Sequence, residues 1–182
     1  MGELLTVNGA DYRVSRLLGR GKGGYSYLAA APDGRPVVVK QLHHEPCSYY
    51  QFGDKFAAEL HDYERLVAAG VPMPQLLAAE RGTERIVKEY IEGPTVYERL
   101  LAGTDEPWYT GWMRELSRRL ARMGLNIDYF PTNFVPRGEL LVYVDYECND
   151  YMDQWSFDNW GEQYWSLTPA LLAYARGKGD IS

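Results

Sequence analysis

Two polar side chains five positions apart, Asp128 and Asn133, are the first residues of this sequence whose types and spacing suggest chemistry. They stand in the stretch GLNIDYFPTNFV, residues 124–135, with a proline between them. A proline there would break a helix, so we expect a loop that directs both side chains to one spot. Asp145 follows the apolar strand Leu140–Val144 and should present its carboxylate at a sheet edge. Such oxygens are ligands that Mg²⁺ accepts beside waters and phosphates, and an Asp near a hydroxyl can take its proton.

A glycine cluster, GRGKGG at residues 19–24, suggests phosphate binding. It lies between strand-like segments and is predicted to cap a hairpin, where glycine lets backbone N–H groups approach a phosphate. It matches neither a Walker loop nor a Rossmann fingerprint, and by itself it predicts a flexible hairpin loop equally well. Lys40 closes the apolar strand VVVK one hairpin later, and its ammonium needs a phosphate or a carboxylate partner. The following helix offers Glu59 and Glu64.

Hydrophobic periodicity predicts the elements that position these residues. The strands are expected at Glu3–Val7, Tyr12–Leu18, Tyr25–Ala30, Val37–Lys40, Gln75–Ala79, Arg85–Ile91 and Leu140–Val144. The helices are expected at Asp54–Ala69, Trp112–Met123 and Pro169–Arg176. The pairs Asn8-Gly9 and Asp33-Gly34 are typical of hairpin turns, so the first strands should form an antiparallel meander. The first helix shows an apolar stripe at three- and four-residue spacing, made of Phe56, Leu60, Tyr63, Leu66 and Val67.

Composition and charge exclude several classes of protein. The 182 residues are 46% hydrophobic, enough for one domain or two small lobes. A net charge of −6 argues against a nucleic-acid partner, and neither a signal pattern nor a membrane-length apolar run is present. We therefore expect a cytoplasmic protein. Cys47 and Cys148 are expected to be reduced structural thiols, and His43, His44 and His61 ordinary surface or interface residues.

The order of these motifs resembles the protein-kinase-like superfamily. LGRGKGGYSYLA resembles its ATP loop, with Gly19, Gly21 and Gly24 on the three glycine positions and Lys22 and Gly23 between them. VVVK resembles the strand that carries the ATP-phosphate lysine, Lys40, and Glu59 best fits its ion-pair partner. IVKEYIEG resembles the hinge, where the backbone from Glu89 to Ile91 would hold adenine. NIDYFPTN resembles the catalytic loop, which makes Asp128 the base and Asn133 a metal ligand, and VDYE makes Asp145 the main metal ligand.

The resemblance implies an α+β, two-lobed fold. The first lobe, residues 1–91, would be an antiparallel sheet with one main helix, and the second, residues 92–182, a strongly reduced and mainly helical lobe. It implies ATP and Mg²⁺ (or Mn²⁺) as cofactors and transfer of the γ-phosphate to a hydroxyl of a protein, a sugar or another small molecule. Autophosphorylation and ATPase activity are further options. The small size resembles RIO kinases, the small kinase of the tRNA-threonylcarbamoylation complex and lipopolysaccharide-core sugar kinases.

Departures from the family pattern limit what can be carried over. Asn126 and Ile127 replace the usual His and Arg, so control by activation-loop phosphorylation is not expected. Phe130 stands where serine/threonine protein kinases carry a lysine, and Glu147 replaces the Gly of Asp-Phe-Gly. Thirty-seven residues of the 182 follow Asp145, too few for the peptide-binding helices of an ordinary protein kinase. A protein partner or a second copy is expected to cover the reduced lobe.

Two other functions stay open. The first is a pseudokinase-like regulatory or scaffold protein that binds nucleotide without turnover. The second is a binding protein that uses its acidic, aromatic tail, because residues 138–174 contain seven acids and no Lys or Arg. The tail aromatics are expected to be core, and they are Tyr151, Trp155, Phe157, Trp160, Tyr164 and Trp165. Three acids among them, Asp150, Asp153 and Asp158, could hold a cationic acceptor.

Overall fold

The computed structural model describes residues 2–45 and 53–179 of an α+β protein. The chain divides into two compact units, of which unit 1 comprises Met1–His61 and Pro74–Ile91, and unit 2 comprises Asp62–Met73 and Glu92–Ser182. Among the described residues, none of the helices has the length and apolar character needed to cross a membrane.

Unit 1 is built on an antiparallel sheet of six strands in the order β1-β2-β3-β4-β6-β5. The strands are β1 (Leu4–Val7), β2 (Ala10–Arg20), β3 (Gly24–Ala30), β4 (Pro36–Leu42), β5 (Leu76–Glu80) and β6 (Arg85–Glu89). The six strands predicted for this part of the chain are thus confirmed. At the first hairpin Val7 pairs with Ala10, and Asn8 and Gly9 adopt the positive φ angles that a tight two-residue turn requires.

The sheet of unit 1 curls so that its first strand approaches its last two. Asn8 Nδ2 donates to the carbonyl of Ala79 at 3.2 Å, and an Arg85 guanidinium nitrogen donates to the Thr6 carbonyl at 2.9 Å. One face of the sheet encloses a core cluster made of Leu5, Val7, Tyr12, Ala29, Val37, Val39 and Val87. Because successive side chains of a strand alternate between faces, Lys40 points to the face opposite that cluster.

Helix α1 (Lys55–Ala68) begins after Asp54, whose carboxylate accepts the Ala57 N–H at 2.9 Å and so caps the helix. It ends at Gly70, which adopts φ +66° as helix-terminating glycines do. The predicted stripe is wrong at Val67, whose side chain is 53% exposed. Leu66, which belongs to the same predicted stripe, is buried in the core of unit 2, and the next residue of a helix points about 100° away from it.

Unit 2 contains helices α2 (Val96–Ala102), α3 (Trp108–Arg122) and α4 (Pro169–Gly179), and two small antiparallel strand pairs. Strand β7 (Leu125–Ile127) pairs with β10 (Cys148–Asp150), and β8 (Phe134–Arg137) pairs with β9 (Leu140–Tyr143). The segment 62–73, which the sequence-based boundary assigns to the first lobe, groups with unit 2 because Leu66, Ala69 and Val71 lie in its core.

Two helix predictions in unit 2 need correction. Helix α2 was not predicted, although Thr95 and Glu98 form a complete capping box at its start. Helix α3 starts at Trp108 rather than Trp112, because the apolar stripe extends one turn further back and includes the buried Tyr109. The seven residues of α2 lie next to the Gly93-Pro94 connector and give little periodicity, and Gly111 interrupts the helical pattern in the first turn of α3.

The tail after β10 folds into short turns at Asp153–Trp155, Phe157–Gly161 and Glu162–Tyr164. Its aromatic side chains divide into two groups. Phe157 and Trp165 are buried in the core, and Trp160 and Tyr164 pack against it. Tyr151 and Trp155 are 38% and 50% exposed, so the expectation that they belong to the core is wrong.

Candidate functional site

The glycine cluster of unit 1 forms the loop of a β-hairpin, as its position between strands predicts. Strand β2 ends at Arg20 and β3 begins at Gly24, and the loop is closed by the Gly21 N–H donating to the Gly24 carbonyl at 2.9 Å. The hairpin exposes Lys22 to solvent. A loop of this kind presents backbone N–H groups rather than side chains to an approaching ligand.

The fold requires glycine at one position of this loop, and it does not at two others. A Cβ on Gly24 would lie 2.4 Å from the Gln41 carbonyl oxygen, so pairing of the strands requires glycine there. A Cβ on Gly19 or Gly21 would have no atom within 4 Å, and both have ordinary negative φ angles. The fold of unit 1 therefore does not explain glycine at these two positions, whereas the close approach of a ligand would.

The side chains of His43 and Lys55, to which the sequence analysis gave no role in this loop, hold it in place. His43 Nε2 lies 3.1 Å from the Gly21 carbonyl oxygen, and its Nδ1 accepts the Glu45 N–H at 3.3 Å. Lys55 is 7% exposed and donates to the carbonyls of Lys22 and His43. His43 is expected to be an ordinary surface or interface residue, and these hydrogen bonds add a contact with the glycine loop. Its half-buried ring is fixed as the tautomer that donates from Nε2, because Nδ1 is used as an acceptor.

Lys40 and Glu59 form an ion pair in unit 1. Lys40 Nζ lies 2.7 Å from both carboxylate oxygens, and the two side chains are only 12% and 11% exposed. The alternative partner, Glu64, is exposed. The ammonium also lies near the glycine loop, since a Cβ on Gly23 would be 3.8 Å from Lys40 Nζ. The structure therefore brings the loop, the lysine and the glutamate together.

The predicted adenine segment follows strand β6. The Glu89 N–H donates to the Gln75 carbonyl at 2.9 Å, and the Glu89 carboxylate accepts the Gln75 N–H at 3.1 Å. The Glu89 amide is thus engaged in the sheet, and a donor to any ligand would have to come from Tyr90 or Ile91. Ile91 is 5% exposed, and its apolar side chain has no hydrogen-bonding group to offer a ligand.

In unit 2, the Asp128–Asn133 stretch is a loop whose hydrogen bonds fix both side chains. The Phe130 N–H donates to Asp128 Oδ1 at 3.0 Å, and the residues Pro131–Asn133 form one 3₁₀ turn. Asn133 Nδ2 lies 3.4 Å from the Asp128 backbone carbonyl, a long hydrogen bond that sets the orientation of the amide. Both side chains are half-buried. The prediction of a loop instead of a helix is confirmed, and within it the Asn133 side chain contacts the Asp128 backbone.

Asp145 stands two residues beyond β9 and is connected to this loop through the backbone. The Val144 N–H donates to the Asn133 carbonyl at 2.9 Å, and the Tyr146 N–H donates to Asp145 Oδ1 at 2.8 Å. These bonds place Asn133 and the Asp145 segment side by side. They also give the Asp145 carboxylate a defined orientation, because one of its oxygens is held by the next backbone amide.

Tyr143 connects the two loops of unit 2, and the sequence analysis missed it. Its hydroxyl donates to the Glu147 carbonyl at 2.9 Å and accepts the Asp128 N–H at 3.4 Å. The side chain is fully buried, and this desolvation holds the pKa of the Tyr143 phenol well above its usual value. The hydroxyl therefore keeps its proton and stays a donor. A tyrosine on an otherwise apolar strand was the available signal, since a buried phenol needs polar partners.

The C-terminal half of α1 holds the segment that follows Asp145. An Asp62 carboxylate oxygen accepts the Cys148 N–H at 3.2 Å, and the Arg65 guanidinium donates to the Cys148 carbonyl at 3.2 Å and to Asp150 at 2.7 Å. The suggestion that Asp150 serves a cationic acceptor is thus weakened, because Arg65 already pairs with it. Asp153 accepts the Tyr151 hydroxyl at 3.0 Å and is exposed, as is Asp158.

Cys148 is buried, forms no disulfide and is 3% exposed. Burial raises the pKa of its thiol to about 11, so the side chain is protonated and unreactive near neutral pH. This agrees with a structural thiol. The corresponding expectation for Cys47 falls outside the described residues.

Asn133 and Asp145 carry side-chain oxygens, a type of donor that suits Mg²⁺ better than a transition metal. Within residues 2–45 and 53–179, no group of three or more His, Cys, Asp or Glu side chains could hold a metal ion. Asn133 and Asp145 together offer an amide oxygen and a carboxylate. Two protein ligands suffice for Mg²⁺, which keeps several waters and takes its other ligands from substrate phosphates.

No known protein family has a model that matches this chain, and no curated protein matches its sequence. Any functional conclusion therefore depends on the chemistry of the chain's own side chains.

Proposed function

We propose that the protein is a small, atypical kinase with a two-lobed, protein-kinase-like fold. It would transfer the γ-phosphate of Mg-ATP to a hydroxyl of a protein or a small molecule. The observation that carries this proposal is the Lys40–Glu59 ion pair beside the glycine loop, with 2.7 Å between Lys40 Nζ and each carboxylate oxygen. Phosphoryl transfer depends mainly on positioning and on neutralising charge, and this pair is suited to both.

A purely structural role accounts poorly for the ion pair. Desolvation of two charges offsets much of their attraction, so apolar residues of similar size would serve the packing of unit 1 equally well. The neighbours Val37, Val38 and Val39 are all buried, and Lys40 interrupts this apolar run. We therefore attribute the pair to ligand binding, with Glu59 holding the ammonium where it can bind phosphate oxygens.

The glycine loop would contribute its backbone to the same ligand. The open space around Gly19 and Gly21 leaves room for phosphate oxygens close to the main chain. Adenine would be held by the backbone of residues 90 and 91, since the Glu89 amide is bonded to Gln75. These assignments give unit 1 the role of nucleotide binding.

Unit 2 would supply the metal ligands and the base. Bound Mg²⁺ would neutralise charge on the β- and γ-phosphates, and Asn133 and Asp145 are the residues that would hold it. The Asp128 carboxylate would accept or orient the proton of the acceptor hydroxyl. Its Oδ1 accepts the Phe130 N–H, and this hydrogen bond sets the orientation of the carboxylate.

ADP release from Mg-ATP tests this proposal, measured for the wild type, Asp128→Asn and the control Asp105→Asn, an exposed Asp in the same unit. We expect turnover without added acceptor or with one of a panel of proteins and sugars. Asp128→Asn should lower it by about 10²–10⁴-fold, the usual contribution of an acid–base group, and Asp105→Asn should leave it unchanged.

A second measurement separates the competing functions. Thermal unfolding with and without ATP reports nucleotide binding independently of turnover. Stabilisation by ATP without turnover in the wild type would reject the kinase and favour the nucleotide-binding regulator. Absence of both would reject nucleotide chemistry and favour a binding function for the acidic, aromatic tail.

A further inference from the structure

Packing and a backbone hydrogen bond fix the position of Tyr143 in unit 2. Its ring is fully buried on β9, and it lies opposite Phe134 of β8 with ring centroids 5.2 Å apart. Its backbone N–H donates to the Pro72 carbonyl at 2.8 Å. A side chain held in this way has one orientation, so its hydroxyl is presented at a fixed point.

That point lies between the two loops to which we assign chemistry. The hydroxyl donates to the carbonyl of Glu147, two residues after Asp145, and accepts the N–H of Asp128 itself. Only a group that is donor and acceptor at once can do both. Phenylalanine fills the same space without either bond, and an indole N–H can only donate.

We infer that Tyr143 is a positioning residue which couples the Asp128 loop to the Asp145–Glu147 loop and so sets the base and the metal ligand in a common geometry. This inference rests on the proposed function. Because both loops share one rigid hydroxyl, a displacement of the metal-binding loop is passed to Asp128. Tyr143 would act like the residues that hydrogen-bond to metal ligands in other proteins. Those residues do not touch the ion, yet their loss lowers metal affinity.

A purely structural reading makes a different prediction. On that reading the hydroxyl only satisfies two buried backbone groups, and its removal lowers stability without a specific effect on metal binding or turnover. The matched control is Tyr109→Phe, which removes a hydroxyl from another buried tyrosine of unit 2, on helix α3.

The experiment compares wild type, Tyr143→Phe and Tyr109→Phe in three measurements. Hydrogen exchange of the Asp128 amide needs no ligand and should be about tenfold faster in Tyr143→Phe only. The Mg²⁺ concentration that half-saturates ADP binding should rise about 10–100-fold, the range found when groups behind metal ligands are lost. Turnover should show a lower kcat, with the KM for ATP at saturating Mg²⁺ nearly unchanged.

The outcomes separate this inference from the proposed function. A wild type that binds Mg-ADP and turns over ATP, with Tyr143→Phe equal to it in metal dependence and kcat, overturns the coupling role alone. A wild type that neither binds Mg-ADP nor turns over ATP rejects the proposed function and this role with it. Should Tyr143→Phe not fold, the wild type supplies the test. Mg-ADP must then slow exchange at the Asp128 amide together with the amides of 145–147, and an unaffected Asp128 amide would contradict the coupling.

Discussion

The glycine loop of unit 1 and the two loops of unit 2 that carry Asp128 and Asp145 are held by different means. In the glycine loop, backbone carbonyls accept hydrogen bonds from two ionisable side chains, Lys55 and His43. The loops that carry Asp128 and Asp145 are held by hydrogen bonds to the fully buried hydroxyl of Tyr143 and by aromatic packing. We expect loops held from within a core to open less readily than a hairpin loop held by side chains beside it.

The distribution of large side chains reinforces this contrast. All five tryptophans of the sequence lie in unit 2. Large, partly polar rings close a small core around buried hydrogen bonds, as Trp165 shows by donating its indole N–H to the Tyr129 carbonyl at 2.7 Å. Tryptophan fluorescence therefore reports on unit 2 alone, which makes the two regions separable in experiments.

The largest effect is expected from removing an aromatic side chain of the unit 2 core. Phe157 is fully buried and packs edge-on against Tyr129 and Trp165. Phe157→Ala should lower the free energy of unfolding by about 3–5 kcal/mol, the usual result of truncating a buried Phe. The control Trp155→Ala, at a half-exposed ring, should cost far less. Urea unfolding followed by tryptophan fluorescence measures the Phe157 variant directly, and equal effects of the two truncations would refute the contrast.

The next largest effect is expected from replacing a glycine by alanine, which should change stability in unit 2 and ligand binding in unit 1. A Cβ on Gly161 would lie 2.7 Å from Tyr129 Cβ and 2.9 Å from a Phe157 ring carbon. Gly161→Ala should therefore destabilise unit 2 by about 1–3 kcal/mol through overpacking. Gly21→Ala has open space and should leave stability unchanged, yet it should weaken ATP binding because the added methyl meets the phosphate.

Both glycine variants should be measured by calorimetric ATP titration, which gives ATP affinity, and by urea unfolding, which gives the free energy of unfolding. Gly111→Ala is the control within unit 2, since it lies in helix α3 with no atom within 4 Å of an added Cβ and should be slightly stabilising. A destabilised Gly21→Ala would show that the fold needs that glycine and would remove one argument for phosphate binding.

A smaller, local effect is expected from the buried lysine of unit 1. Lys55→Met keeps the length of the side chain and removes the donor to the carbonyls of Lys22 and His43. Amides of residues 21–24 should then exchange with solvent about tenfold faster, since a hydrogen bond from a charged group contributes about 1.5–3 kcal/mol. Hydrogen-exchange mass spectrometry resolves this, with the Asp128 loop as internal reference. Equal protection in both proteins would mean that Lys55 does not hold the loop.

The smallest effects concern pH, and their signs should differ between the units. The amide of Ala57 lowers the pKa of Asp54, which caps α1, so the stabilisation it gives is present above the unfolded value of 3.8 and is lost as pH falls below it. Burial raises the pKa of Cys148 to about 11, so its stabilisation is present below the unfolded value of 9.0 and is lost between pH 9 and 11. Urea midpoints plotted against pH should lose part of the alkaline decline in Cys148→Ala and part of the acid decline in Asp54→Asn. The rest of the alkaline decline is expected because burial also raises the pKa of Tyr143. An unaltered pH profile in either variant would contradict the corresponding assignment.

Local sequence signals determined most of unit 1. Alternating hydrophobicity predicts its six strands, and Asn8-Gly9 predicts its first turn, because strand period and turn chemistry are properties of neighbouring residues. The same holds for the loop that carries Asp128 and Asn133, where a proline excludes a helix. In unit 2 the strands β7 and β10 have only three residues each, and β8 contains Pro136, so none of them shows the alternation that identifies a strand.

Tertiary structure alone decided how the candidate residues are held. Arg65 and Asp150 are 85 positions apart and His43 and Gly21 are 22 apart, and no spacing rule connects residues at such distances. The hydroxyl of Tyr143 became significant only when the fold placed Asp128 and Glu147 on either side of it. The sequence identifies the groups that are able to do chemistry, because the reactivity of a side chain depends first on its residue type. Packing assigns their partners, because a hydrogen bond depends on distances that only the folded chain sets.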